Sequence, residues 1–170
     1  MRIFIEITIM EVINIAIQVR RCSCEELSES ERSLVALAKE QTRNSYAPYS
    51  HFHVGAAMLL ADGTIACGAN QENASYPVGT CAERAALFAA GTSNPGVAPV
   101  AVAIAARSGD AFTGSPITPC GMCRQALLEA EHRFSRPIRL LLYGHDATYV
   151  VSSVRDLLPL TFDGSDLPGN

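Results

Sequence analysis

The residues best equipped for chemistry are cysteines in two short motifs. Pro119-Cys120-Gly121-Met122-Cys123 reads as the opening of one helix, and Cys81-Ala82-Glu83-Arg84 as the opening of an earlier one. Each is ambiguous alone, because a Cys-x-x-Cys pair serves as a redox couple, as half of a zinc ribbon, or as two buried thiols. Together, three thiols carried on two helix starts can converge on one Zn²⁺, with Glu83 standing beside the metal without ligating it. Three protein ligands leave a fourth position open, as in catalytic zinc sites, whereas structural sites are closed by a fourth ligand. Cys67, at the end of a predicted strand, is the residue that could close the site. On the open-site reading, Cys67, Cys22 and Cys24 are plain thiols.

Three thiolates on a divalent ion leave a formal charge of about −1, which weakens it as a Lewis acid. Two devices can withdraw that charge. The thiolates sit at helix N-termini, whose amide groups favour anions, and Arg84 is close enough in sequence to hydrogen-bond a cysteine sulfur. Arg124 reads in the same way, and the plain alternative for both arginines is a solvated helix charge. Glu83 is suited to move a proton as base and then as acid; its plain alternative is a first-turn acid favoured by the helix dipole. Asn70 and Glu72, two apart in an extended segment, can point to one side and offer an amide and a carboxylate to sugar hydroxyls. Otherwise they are turn residues bonding their own backbone.

The pattern Cys81-Ala82-Glu83 followed by Pro119-Cys120-Gly121-Met122-Cys123 is similar to the three-cysteine form of the zinc deaminase signature. More widely, Tyr46-Ala-Pro-Tyr-Ser50, Phe52-His-Val-Gly-Ala-Ala57, Asn70-Gln-Glu-Asn-Ala-Ser-Tyr76, Cys81-Ala-Glu-Arg84 and Pro119-Cys-Gly-Met-Cys-Arg124 closely resemble the small homotetrameric cytidine deaminases, from about Ser30 to Leu167. The resemblance implies zinc-dependent hydrolytic deamination of cytidine and deoxycytidine in pyrimidine salvage. It implies zinc on Cys81, Cys120 and Cys123, proton transfer by Glu83, and Arg84 on a cysteine sulfur. It also implies a substrate site made by Phe52 against the pyrimidine, Asn70 and Glu72 on the ribose, Ala82, and aromatic walls from Tyr76 and Phe162. Phe162, after Leu157-Leu-Pro159, belongs to a segment that in this family enters a neighbouring subunit's site. Read without the resemblance, the three aromatics suit a core better than a pocket. Ala69 and Gln71 depart mildly from the family pattern around Asn70.

Other readings make different predictions. A deaminase of a nucleoside antibiotic such as blasticidin S shares the zinc motif but lacks the run from Asn70 to Ala74. A non-enzymatic zinc-stabilised interaction domain requires a closed metal site and tolerance of Glu83→Gln. A polynucleotide-editing enzyme is expected to carry a basic groove. Lys and Arg number 13 against 17 Asp and Glu, a net charge of −4, which gives no footprint for a nucleic acid polymer and favours a small ligand.

These residues need a scaffold, and 170 residues with 48% hydrophobic and 18% charged composition suffice for one packed domain. Six cysteines are too sparse for a disulfide framework, so reduced thiols in the cytoplasm are expected. Ser28 with Glu31 forms a capping box ahead of a helix ending near Thr42. Ala61-Asp62-Gly63 joins strands Phe52 to Leu60 and Thr64 to Ala69 as a hairpin. Further elements are a buried helix Cys81 to Ala90 closed by Gly91, a buried strand Val100 to Ala106, a helix Gly121 to His132, and strands Ile138 to Tyr143 and Tyr149 to Val151. Strands alternating with helices predict a three-layer α/β/α fold with a mixed central sheet, and the resemblance makes it cytidine-deaminase-like. Met1 to Arg21 stands apart, with isoleucines and Val19 on odd positions, the period of a strand. Glu6, Glu11 and Asn14 interrupt it too often for a membrane helix, and it lacks the features of a signal peptide or presequence. It is expected to be an added strand or an extension from an early start codon, with Met10 as an alternative start. Residues 1–27 are thus set apart from a deaminase-like unit over 28–170.

Overall fold

The computed structural model describes residues 11–167. Among the described residues, seven strands form one sheet: β1 (Arg20–Cys22), β2 (Phe52–Leu60), β3 (Ile65–Ala69), β4 (Pro99–Ser108), β5 (Ala111–Phe112), β6 (Arg139–Tyr143) and β7 (Thr148–Val151). They lie in the order β1-β7-β6-β4-β2-β3, with β5 hairpinned onto the end of β4. Only β4 and β6 run parallel, joined through a helix; every other pair is antiparallel, so the sheet is mixed. The helices are α1 (Glu29–Gln41), α2 (Ala82–Ser93) and α3 (Gly121–Phe134).

Alternation along the strands divides the core into two layers. Ala56, Met58, Leu60, Val102, Ile104, Leu140 and Leu142 pack with Ala82, Ala86 and Ala90 of α2 and Leu127 and Leu128 of α3. Their neighbours Ala57, Ala101, Ala103, Ala105, Leu141 and Tyr143 face Leu34, Val35 and Ala38 of α1. One helix therefore covers one face and two cover the other, giving the three-layer architecture.

Local chemistry sets the elements. Ser28 caps α1 by accepting from the Glu31 amide at 3.3 Å, while the Glu31 carboxylate accepts from the Ser28 amide at 2.9 Å. The β2–β3 turn has Gly63 at φ 88°, and Asp62 Oδ1 accepts from the Thr64 amide at 2.9 Å. Close approaches rely on two glycines. A β-carbon on Gly55 would sit 2.1 Å from the Ala38 carbonyl oxygen of α1, and one on Gly68 would sit 2.4 Å from the Ala86 nitrogen of α2. Gly68 thus lets the first turns of α2 lie directly on β3.

A buried carboxylate not anticipated from sequence ties the C-terminal half together. Glu131 on α3 accepts from the Ile138 amide at 2.6 Å, the Val154 amide at 2.9 Å and the Ser153 hydroxyl at 2.9 Å. It fixes the end of α3 to the start of β6 and to the turn after β7.

Three expectations are corrected. The strand predicted through Arg21 is realised only at Arg20–Cys22, where β7 offers a partner. Residues 11–19 have no regular structure and are exposed, because a strand period without a neighbouring strand does not make a ladder; residues 1–10 lie outside the described residues. Gly91 does not close α2, which continues to Ser93 with Asn94 as its C-cap. No atom lies within 4 Å of where a β-carbon on Gly91 would be, so this glycine marks neither a turn nor a close approach. Finally, β4 is longer than predicted, and the short β5 that pairs with it carries too few residues to show a period.

Candidate metal centre and cavity

Cys81 is the N-cap of α2 and Cys120 the N-cap of α3, both with extended backbone (φ −79°, ψ 156° and φ −67°, ψ 168°). Cys123 lies in the first turn of α3 and is fully buried. Two helix N-termini therefore meet at the thiols, where their unpaired amides favour negative charge. The Cys81 and Cys120 sulfurs are 3.9 Å apart and those of Cys120 and Cys123 3.6 Å. All three lie within 4.8 Å of one another. Tetrahedral zinc with bonds of about 2.3 Å places its sulfurs about 3.8 Å apart, so the cluster has the spacing and the soft donor set that zinc requires.

The thiols are electrostatically unequal. Hydrogen bonding from Cys123, then from Cys120 and Arg84, pulls the Cys81 thiol down to about 5 against the burial that opposes it, while the bond to Cys81 and burial push Cys123 up. Arg84 lies against the same sulfurs, and its contacts with Cys81 and Cys123 hold its guanidinium above the usual arginine range against the effect of burial. Its Nε is buried with no hydrogen-bond partner among the described residues. This is the placement expected of a residue that withdraws charge from thiolates. Arg124 is different: Nε donates to the Pro119 carbonyl at 2.8 Å, Nη1 to the Leu157 carbonyl at 2.9 Å and Nη2 to the Thr118 hydroxyl at 3.2 Å. Its role is to clamp the loop before Cys120 and not to touch sulfur.

Cys67 is half-buried and packs with the α1-facing core, while its neighbour Gly68 faces α2. Strand alternation thus puts Cys67 on the opposite side of the sheet from the thiol cluster, and it cannot be a fourth ligand. Cys22 and Cys24 also belong to the α1 side.

Glu83, in the first turn of α2, is 4% exposed. Burial raises its carboxyl to about 7, and the charge of the neighbouring Cys81 thiol acts in the same direction. A cavity of about 430 Å³ opens over these groups, with Asn70, Glu72, Tyr76, Glu83, Arg84 and the two more exposed cysteines in its walls. Asn70 and Glu72 do share a side, but both are already bonded within the chain. Asn70 Oδ1 accepts from the Val54 amide at 2.7 Å and the Ser45 hydroxyl at 2.6 Å, and Nδ2 donates to the Phe52 carbonyl at 2.9 Å. Glu72 accepts from the amides of Tyr49 at 2.9 Å and Ser50 at 3.2 Å and from the Ser50 hydroxyl. Hydrogen bonding by Ser50 first, then the amides, holds its carboxyl below the usual range.

Phe52, Ala82 and Phe162 lie outside the walls of this cavity within one chain. Ala82 is in the core beneath it, and Phe52 contributes its carbonyl to Asn70. Phe162 is 59% exposed, with its carbonyl accepting from Gln125 at 2.9 Å. Tyr76, 77% exposed, stacks edge-on with Tyr49 and is not core. Val54, Ile117, Thr118 and Met122 also line the cavity and were not anticipated. Val54 shares the strand face of Phe52, and Ile117-Thr118 directly precede the Pro-Cys turn, so position next to a motif was the available signal.

A model for the cytidine and deoxycytidylate deaminase zinc-binding region matches residues 28–135. A cytidine deaminase of Halalkalibacterium halodurans is 39% identical over 134 residues, covering 79% of this chain and 95% of that protein. One from Mycobacterium tuberculosis is 38% identical over 134 residues, covering 77% of this chain and 88% of that protein. The crystal structure of the cytidine deaminase from Burkholderia pseudomallei superposes with a TM-score of 0.67 at 37% identity, over 80% of this chain and all of that one. The matched stretch carries β2, β3 and both helix starts that bring the three thiols and Glu83 together, and by it this chain belongs to the cytidine and deoxycytidylate deaminase family.

Proposed function

We propose that the protein hydrolyses the 4-amino group of cytidine and deoxycytidine, giving uridine or deoxyuridine and ammonia, with one zinc ion held by Cys81, Cys120 and Cys123. One observation carries this reading: three sulfurs at zinc spacing lie beside a buried carboxyl, in the wall of a cavity that Asn70 and Glu72 also line. Bound zinc would supply Lewis-acid activation of the attacking water.

The chain's own residues then divide the work. Water adds to C4 of the pyrimidine and ammonia leaves from it, so a proton must reach ring N3 and another the departing amine. Glu83 takes the water's proton, delivers it to N3 and later protonates the nitrogen. A carboxyl raised to about 7 by burial holds and releases a proton near neutral pH, which suits one group to both tasks. Arg84 offsets the thiolate charge.

Asn70 and Glu72 bind the ribose hydroxyls by sharing acceptor capacity now used by the loop over residues 45–54. A carboxylate there also disfavours a 5′-phosphate. Phe52, Ala82, Tyr76 and Phe162 complete the substrate site in a homotetramer. The exposure of Tyr76 and Phe162 in a single chain supports cover by a neighbouring subunit. Its setting is pyrimidine salvage in the cytoplasm, where thiols stay reduced.

The test is an absorbance assay of the purified protein on cytidine, deoxycytidine, CMP and blasticidin S, with and without a chelator. Chelator-sensitive turnover of the two nucleosides is expected. Turnover of CMP or blasticidin S but not cytidine would overturn the substrate reading.

A further inference from the structure

The catalytic reading leaves unused the segment before β1. Residues 11–19 run exposed, with Ile13 at 79%, Ile15 at 50%, Ile17 at 47% and Val19 at 43% exposure. They lead directly into β1, which is the edge of the sheet and pairs only with β7 among the described strands. The arm therefore has the side-chain period of a strand, about 30 Å of extended reach at roughly 3.3 Å per residue, and an open edge. Residues 11–21 contain no Gly, Pro, Asp or Ser, and Asn14 is the one turn-forming residue type among them.

We propose that this arm docks on the same arm of a second copy of the chain, pairing antiparallel about a two-fold axis at Ala16. Parity selects the register first. Directly opposite residues share a face, so odd positions must meet odd ones, or isoleucines would be set against residues of the other face such as Asn14 and Gln18. Charge then chooses among the registers that parity allows. With Ala16 on the axis, Glu11 of one arm stands opposite Arg21 of the other, at both ends of the ribbon. Between them Ile13 meets Val19 and Ile15 meets Ile17, each twice. The other face sets Asn14 opposite Gln18 and Val12 opposite Arg20 around the paired Ala16. Moving the axis to Ile15 puts Glu11 against Val19, and moving it to Ile17 puts Ile13 against Arg21. The pattern is self-complementary, as an isologous contact requires. Arg20 and Arg21 keep their β7 partners, since a strand pairs on both edges.

Cysteine cross-linking of the full chain tests this. Ala16→Cys should form an intermolecular disulfide roughly tenfold faster than Asn14→Cys, because only the former meets its own copy. A mixture of Asn14→Cys and Gln18→Cys should cross-link as fast as Ala16→Cys. All rates are measured above the unsubstituted chain, which has its own Cys22 and Cys24. Glu11→Arg should slow the Ala16→Cys reaction, and adding Arg21→Glu should restore it. Equal rates at Ala16 and Asn14, or a charge exchange that fails to restore cross-linking, would overturn the proposal; either result would assign the arm to its own chain or to another partner.

Discussion

Gly68 on β3 and Ala86 on α2 approach so closely that a β-carbon on the glycine would sit 2.4 Å from the alanine's nitrogen. The same β-carbon would be 2.5 Å from the carbonyl oxygen of Ala82, the residue after Cys81. The helix that presents Cys81 and Glu83 is thus seated on bare backbone. Gly68→Ala must lift α2, with an overpacking cost of about 1–3 kcal/mol and reduced zinc retention. Gly91→Ala, further along the same helix with open space around it, should instead stabilise by about 0.5–1 kcal/mol. Thermal melts and zinc content of the two variants check the contrast.

Glu83→Gln keeps the shape of the side chain but removes the proton carrier. Turnover should fall at least roughly 10²-fold with zinc retained. Loss of zinc at the same time would make Glu83 a structural residue.

Glu72→Gln should raise the KM for cytidine by roughly tenfold while lowering kcat less, the loss expected when a charged hydrogen-bond acceptor is removed from a bound hydroxyl. Steady-state kinetics beside a thermal melt decide the matter. If Glu72 serves only its bonds to Tyr49 and Ser50, the melt shifts and KM does not.

Glu131→Leu removes the acceptor of two buried backbone amides, Ile138 and Val154, and should cost about 2–4 kcal/mol in chemical denaturation. Activity per folded molecule should change little, because Glu131 lies outside the cavity walls.

Asp163 is held at about 2 by the Ser165 hydroxyl first, then by Arg155 and the Ser165 amide. Its folded value lies below the unfolded one, so its contribution to stability is present above about pH 4 and is lost as pH falls towards 2. The difference in melting temperature between the parent and Asp163→Asn should therefore close over that window.

Much of this was legible in the sequence. The capping box at Ser28, the Asp62-Gly63 turn and the three-layer order follow from local chemistry and period, and the thiols at two helix starts converge as their spacing implied. What was hidden depends on partners distant in the chain. No local signal shows that Glu131 bonds Val154, or that Arg124 serves a loop and not a sulfur. Asn70 and Glu72 show why residue type underdetermines role. The same amide and carboxylate suit sugar hydroxyls and the backbone of residues 45–54, and only the fold reveals that the second use exists. Period alone also overstated the first strand, since pairing needs a neighbour.

Arg124 holds the Pro119 carbonyl with one nitrogen and the Leu157 carbonyl with another. The turn that carries Cys120 and the backbone at Leu157 are thus joined through one guanidinium. A chain cut before Leu157 would lose one of that guanidinium's three anchors, and the slack would reach the thiol pair although no residue near it had changed. Shortening this protein from its far end is a way of loosening its centre.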